Sequence, residues 1–313
     1  MVIQIKIHPL LGSLNEATFL REYLTACGIN DVDAYLNPDN IAYQSPDMYK
    51  NMDVAVNLFN HAKGSVGIVI DSDLDGACSA AIAYLLCIEN GLEDIRIYSH
   101  AGKEHGLSDL ASQIAIDELD LLIVPDAGSN DIYQCEELMC MGIDIIILDH
   151  HIIEKSNRYA TVVNPYRANN APNINTDISG TGVVEKFACA LGSNQSFKDL
   201  VAVSLISDIC SLRSPENRKY VYDGLTNPTN LFIKYCLEHC CNRGVNPEGV
   251  AFGIAPLANA LARSDDQSTK RLFFDALIGK IEPEAAVKAM KAVKSKQDYQ
   301  VKKVVDKLSD GLD

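Results

Sequence analysis

Between residues 65 and 165, runs of consecutive apolar residues alternate with segments of helical period. The runs are SVGIVI (65–70), DIRIYSH (94–100), DLLIVPDAG (120–128), IDIIILDHH (143–151) and ATVVNP (160–165). They are rich in β-branched residues and lack polar alternation, which predicts strands buried on both faces. GACSAAIAYLLCIEN and stretches near 107–118 and 130–141 predict the helices between them. Strands alternating with helices form parallel βαβ units. After residue 180 the pattern is almost wholly helical. The expected fold is therefore α/β: a parallel five-stranded sheet flanked by helices, followed by a mainly helical C-terminal part. The pattern divides the chain into a helical lead-in packed on the core (1–62), an α/β domain (63–225) and a helical extension ending in a linker-like helix (226–313).

Composition narrows the class. With 313 residues, the chain suits one large domain or two modest ones. No run of about 18 apolar residues exists, so no membrane span is expected. MVIQIKIHPLLGS at the N-terminus is short and lacks a cleavage pattern, which argues against a signal peptide. Ten cysteines are scattered without a framework, as reduced thiols in a cytoplasmic protein would be. The net charge of −15 argues against broad adhesion to nucleic acid. It leaves room for a narrow basic groove, or for metal ions in an acidic pocket.

Such a pocket is visible in the sequence. Asp71, Asp73 and Asp75 follow the first predicted strand, Asp126 the third, and Asp149, His150 and His151 the fourth. Taken singly, each has a plain structural meaning. DSD is a common helix cap or turn, Asp75 before Gly76 can cap a helix starting near 77, and DHH can be a polar loop. In an open parallel sheet, however, these points share the carboxyl edge where ligands bind. Like charges gathered there repel unless cations sit among them. Carboxylates mixed with imidazole suit Mn²⁺ or Mg²⁺ better than zinc. Two further segments reach this edge. SGTGV (179–183) can offer backbone N–H groups of Gly180 and Gly182 to a phosphate, or be a tight loop with a helix cap. KEHGL (103–107) brings Lys103 and His105 near, with a solvated loop as the plainer reading of Lys103.

DSDLDG, PDAGSND and LDHH, in that order, resemble the successive motifs of the DHH phosphoesterase superfamily. Within it the chain resembles the RecJ-like group of single-strand-specific 5′→3′ exonucleases. GINDVDAYLNPD, DMYKNMDVAVNLF, VVNPYRANN, ISGTGVVEKFACAL, LVAVSLISDICSLRSPENRKYVYDGL and AFGIAPLANALAR extend the similarity over almost the whole chain. The resemblance implies two metal ions, Mn²⁺ or Mg²⁺, held by Asp71, Asp73, Asp126, Asp149, His150 and Asp208. Asp75 matches the third acid of the first motif, as a ligand or just behind the ligands. His151, with His150 and Asp149, would serve catalysis close to the scissile phosphate. Asp208 enters only through the resemblance, since ISDIC by itself reads as a capped helix turn. Arg218 and Arg263 match arginines of the pattern and would hold phosphate or pair with acids. Leu257 stands where the pattern has arginine, and Ala262 where it has glycine. No DHH-associated domain or OB-fold follows, which implies a catalytic core, a partner chain supplying a second substrate-binding domain, or a short substrate. The activity implied is hydrolysis of single-stranded DNA to mononucleotides. The rivals are a DHH-type hydrolase of short oligonucleotides or cyclic dinucleotides, and a non-catalytic module binding nucleic acid or a replication partner.

Overall fold

The computed structural model describes residues 16–100, 102 and 104–309. Strands β1 (Val66–Ile70), β2 (Ile95–Ser99), β3 (Leu121–Pro125), β4 (Asp144–Leu148) and β5 (Thr161–Val163) form one sheet in the order β2-β1-β3-β4-β5. Every neighbouring pair is parallel. Val66 of β1 pairs with Ile95 on one side and Leu121 on the other. The strand order therefore reverses at β1, and a crevice opens beyond the carboxyl ends of β1 and β3.

Side chains of a strand alternate between faces, and both faces here are covered. Ile68, Ile123 and Ile146 join a core with α4 (Leu74–Glu89), α7 (Gly180–Leu191) and α8 (Lys198–Ser207). Val69, Leu122, Val124 and Ile147 face the other way, onto α5 (Ala111–Ile114) and α6 (Ile132–Cys140). The helix expected near 107–118 is cut to α5. Gly106 has φ +74°, Leu107 N–H donates to Asp131 Oδ2 at 2.8 Å, and Glu118 has φ +48°, so the chain turns at both ends of the segment.

The first core does not stop at the sheet. It takes in Met52 and Phe59 of α3 (Met52–His61), and it continues through α9 (Pro215–Thr226), α10 (Leu231–His239) and α11 (Pro247–Gly253). It ends in α12 (Ala255–Ala262), α13 (Gln267–Leu277) and the Ala286, Val287 and Met290 face of α14 (Pro283–Ser309). Further out, α1 (Glu16–Ala26) and α2 (Val32–Leu36) share a small cluster of Leu24, Ile29 and Val32. Among the described residues no helix is long and apolar enough to cross a membrane.

A buried ion pair explains two of the sequence motifs. Lys186 of α7 meets Glu216 of α9 at 2.5 Å, and both are almost fully buried. Lys186 also donates to Gln44 O, and Glu216 accepts from Gln44 N–H and Asn175 Nδ2. Asn217 next to it donates to the carbonyls of Asp177 and Ser211, which pins the segment just after Asp208. Replacing Lys186 with methionine strands a buried carboxylate, so stability should fall by about 3–5 kcal/mol in urea denaturation. A loss below about 1 kcal/mol would show that the pair is not needed.

Candidate metal centre

The first acidic segment is positioned by the start of α4. Asp73 is its N-cap, with Oδ1 accepting from Gly76 N–H at 2.9 Å. The capping residue is thus Asp73 and not Asp75, which lies fully buried in the first helical turn. A Cβ at Gly76 would lie 2.7 Å from the carbonyl of Asp71, so only glycine lets the helix begin this close to the strand end. Asp126, after β3, has φ +63°, a conformation that costs a non-glycine residue on the order of 1–3 kcal/mol. Its N–H donates to Leu148 O at 2.8 Å, which holds it there. Asp208 ends α8 and is brought over the crevice by that helix.

His150 lies at the middle of the acids. Its Nδ1 lies 2.9 Å from Ile178 O. A carbonyl only accepts, so Nδ1 carries the proton, and in the neutral ring Nε2 presents a lone pair. That lone pair faces Asp126 Oδ1 at 3.2 Å, Asp208 Oδ2 at 3.4 Å and Asp75 Oδ2 at 3.7 Å. Asp71 Oδ1 and Asp126 Oδ1 are buried and without a hydrogen-bond partner. Ligand atoms lie within 4.8 Å of one another in three overlapping groups: Asp126, His150 and His151; Asp75, His150 and Asp208; and Asp71, Asp73 and Asp126. Carboxylates and an imidazole converging on one point fit divalent cations, and a set of oxygens with imidazole fits Mn²⁺ or Mg²⁺.

The electrostatics agree. Burial, then the charges of Asp75, Asp73 and Asp71, hold the Asp126 carboxyl well above its usual range. Burial and the same neighbours push Asp208 up to about 8. A carboxyl raised from 3.8 to about 8 keeps its proton through that window, whereas the unfolded chain has released it. The folded state then binds more protons, so the metal-free chain should lose stability as pH rises from about 5 to 8. Saturating Mn²⁺ should flatten this dependence. Melting temperature against pH, in chelator and in Mn²⁺, checks it; a metal-free melting temperature that rises over this range contradicts it.

Other predicted residues occupy different places. Asp149 belongs to none of the three groups. Its Oδ2 accepts from Ser129 N–H, and its Oδ1 accepts from the N–H groups of His150 and His151 and from His151 Nδ1 at 2.8 Å. It sits behind the two histidines and orients them. The hydrogen bond to Asp149 raises His151 to about 9, which keeps its imidazole cationic near neutral pH. The glycine turn is also turned inward. Gly180 N–H and Thr181 N–H both donate to the Asp75 carboxylate at 2.8 Å, and Gly182 N–H donates to Ser179 Oγ. Gly180 and Gly182 therefore offer no backbone donors to a phosphate, because these N–H groups already hold a buried acid and a cap. A Cβ on Gly180 would stand 2.3 Å from Asp126 Oδ1. Gly180→Ala should displace Asp126 and weaken metal binding by about tenfold or more, as read by Mn²⁺ titration.

Arg218 is likewise not in the crevice. Its guanidinium lies 3.7 Å from the Tyr35 ring centroid and its Nε donates to Tyr35 O, fastening α9 to the helical lead-in. Arg263 is at the crevice, on the wall of a cavity shared with Asp73, His105 and Asp208. His105 Nδ1 meets Asp71 Oδ2 at 2.7 Å. Lys103 lies outside the described residues. His100 was not singled out from sequence, although it ends the second predicted strand. It is 1% exposed, with Nδ1 2.8 Å from Asp109 Oδ1 and Nε2 unpartnered 3.9 Å from Asp71 Oδ1.

Residues 65–208 match the family described as DHH family, N-terminal domain. The chain is 29% identical over 259 residues to the putative SPbeta prophage-derived single-strand DNA-specific exonuclease YorK of Bacillus subtilis, covering 78% of this chain and 44% of the relative. It is 26% identical over 294 residues to the single-stranded-DNA-specific exonuclease RecJ of Haemophilus influenzae, covering 83% and 48%. The structure of RecJ in complex with Mn²⁺ from Thermus thermophilus superposes with a TM-score of 0.72 at 22% identity, over 95% of this chain and 46% of that one. The chain spans about half the length of the curated relatives it matches. The family match begins just before β1 and ends at Asp208, and so spans every acid and histidine of the three ligand groups. Residues 65–208 of this chain thus match the DHH-family N-terminal domain in sequence, and the chain shares the fold seen in RecJ.

Proposed function

We propose that the chain is a metal-dependent phosphodiesterase, a RecJ-like 5′→3′ exonuclease that hydrolyses single-stranded DNA to mononucleotides. The observation that carries this reading is the convergence of His150 Nε2 with Asp126 Oδ1 at 3.2 Å, Asp208 Oδ2 at 3.4 Å and Asp75 Oδ2 at 3.7 Å. Asp71, Asp73, Asp75, Asp126, His150 and Asp208 would hold two ions, Mn²⁺ or Mg²⁺. When bound, such a pair lowers the pKa of a coordinated water and offsets charge on the phosphate oxygens.

The protein's own groups do the rest. Asp149 fixes the His151 ring and keeps it protonated, so a cationic donor stands beside the ligand cluster. Charge that accumulates on a phosphate in the transition state is met by this preset donor. Gly180 and Thr181 hold the Asp75 carboxylate in one orientation. Arg263 supplies a second cation on the same wall as Asp208. The protein groups thus orient the ligands and place positive charge where the phosphate must lie.

The net charge of −15 favours a second reading, hydrolysis of short oligonucleotides or cyclic dinucleotides, which need few backbone contacts. Free thiols at all ten cysteines support a reducing, cytoplasmic setting. Exposed Tyr299, Val301, Val304 and Leu308 along α14 support a further domain or a partner chain covering that helix. The test is a digest of 5′-labelled single strand, duplex, dinucleotide and cyclic dinucleotide in Mn²⁺. Mononucleotide release from the 5′ end of single strand is expected. Preferential loss of the dinucleotides would favour the second reading, and no hydrolysis of any substrate would leave only a binding role.

A further inference from the structure

Two cavities adjoin the ligand cluster. One, of about 240 Å³, is polar, with Asp73, His105, Asp208, Asn259 and Arg263 on its walls. The other, of about 190 Å³, lies between the end of β2 and helices α12 and α13. Its walls include Ile70, Ile97, Leu261, Phe273 and Phe274. The two share Ser72, Asp73 and Ala262. Asp71 and Asp73 of the ligand cluster also line the second cavity, and the hydrolytic reading leaves only its apolar part without a role.

An apolar cavity of roughly 150 Å³ holds a benzene ring, so this one is sized for a single flat ring system. One polar group on its wall is conspicuous. His100 is buried, its Nδ1 is engaged by Asp109, and its Nε2 has no partner. That Nε2 faces Asp71 Oδ1 at 3.9 Å and so belongs to the ligand cluster beside the cavity. The cavity is also built in advance. Gln267 Nε2 donates to His100 O at 3.0 Å, and Lys270 Nζ donates to the carbonyls of His100 and Gly102 at 3.3 Å. Helix α13 is thereby fastened to the end of β2.

We propose that this cavity is a nucleobase subsite. It receives the base of the nucleotide whose phosphate lies in the polar cavity, with Phe273 and Phe274 among the apolar walls. The relation of the two cavities, adjoining across Asp73 and Ala262, is that of a base to its own phosphate. The inference rests on the phosphodiesterase reading, deepens it, and predicts that the enzyme grips the base as well as the backbone.

The test begins with a probe that has no phosphate. 2′-Deoxyadenosine is titrated calorimetrically into the chain in chelator, against 2-deoxyribose as control. Saturable binding of the nucleoside alone is expected. Ser99 lies on the cavity wall, is exposed and is not a member of the ligand groups, so Ser99→Phe fills the space without disturbing the core. It should weaken nucleoside binding by about tenfold or more, and Ala258→Leu should do the same from the opposite wall. In parallel, strands ending in a normal or an abasic 5′ nucleotide are hydrolysed in Mn²⁺. The abasic strand should show KM raised by about tenfold, and Ser99→Phe should erase the difference. No nucleoside binding, equal binding in both folded variants, or equal KM for the two strands would overturn the subsite. If no strand is cleaved but Ser99→Phe still blocks the nucleoside, the hydrolytic reading fails and the subsite stands.

Discussion

Under the proposed function, alanine at Asp126 or at His150 should lower turnover on single-stranded DNA by at least about a thousandfold. These two residues are singled out by geometry, because each belongs to two of the three ligand groups. Asp126 links the first acidic segment to the histidines, and His150 links Asp126 to Asp75 and Asp208. Losing either therefore disturbs both prospective ion positions, whereas losing Asp73 or Asp208 disturbs one group. The fold should persist in both variants. Removing Asp126 takes a buried carboxyl, itself raised by its acidic neighbours, out of a mutually repelling cluster, and the metal-free Asp126→Ala chain should melt no lower than the parent. Initial rates in Mn²⁺, together with melting temperatures in chelator, check both halves. A rate within about tenfold of the parent in either folded variant would remove that residue from the centre.

Removing the metal should have an effect as large. In excess chelator, hydrolysis should fall by about a thousandfold or more, and Mn²⁺ or Mg²⁺ should restore it. Zn²⁺ should restore it poorly, because no cysteine belongs to the ligand groups and the donors are mainly carboxylate oxygens. The readout is release of labelled mononucleotide as each metal is added back to the stripped chain. Undiminished hydrolysis in chelator would mean that the carboxylates act as general acids and bases without ions. The proton held by Asp208 up to about pH 8 in the metal-free state would then matter to the rate itself.

The sheet was legible because continuous β-branched runs such as VGIVI and DIIIL have no other use than a strand covered on both faces. Asp71, Asp73, Asp126, His150 and His151 were legible for a related reason: they directly follow those runs, and a parallel sheet collects strand ends on one edge. Other features depend on contacts that sequence spacing does not record. Asp208 sits at the end of a helix, and only the crossing of α8 over the sheet brings it near His150; the family resemblance supplied it. Gly180 and Gly182 looked like phosphate donors because a glycine turn into a helix reads the same whether its N–H groups meet a ligand or a buried acid. The acid is Asp75, which lies 105 positions away. Arg218 entered through the family resemblance, as a phosphate contact or the partner of an acid, and its partners are the ring and carbonyl of Tyr35. The family resemblance put Asp149 among the ligands, and in the structure four hydrogen bonds engage it, from Ser129 N–H, His150 N–H, His151 N–H and His151 Nδ1.

The central claim is that carboxylates from two strand ends and one helix end, with His150 from a third strand end, hold a pair of ions. Counting Mn²⁺ bound to the chain by equilibrium dialysis with electron paramagnetic resonance tests it most directly, with no dependence on substrate. Two ions per chain are expected for the parent, and one or none for Asp126→Ala. The same number bound with the same affinity in both chains would contradict the account.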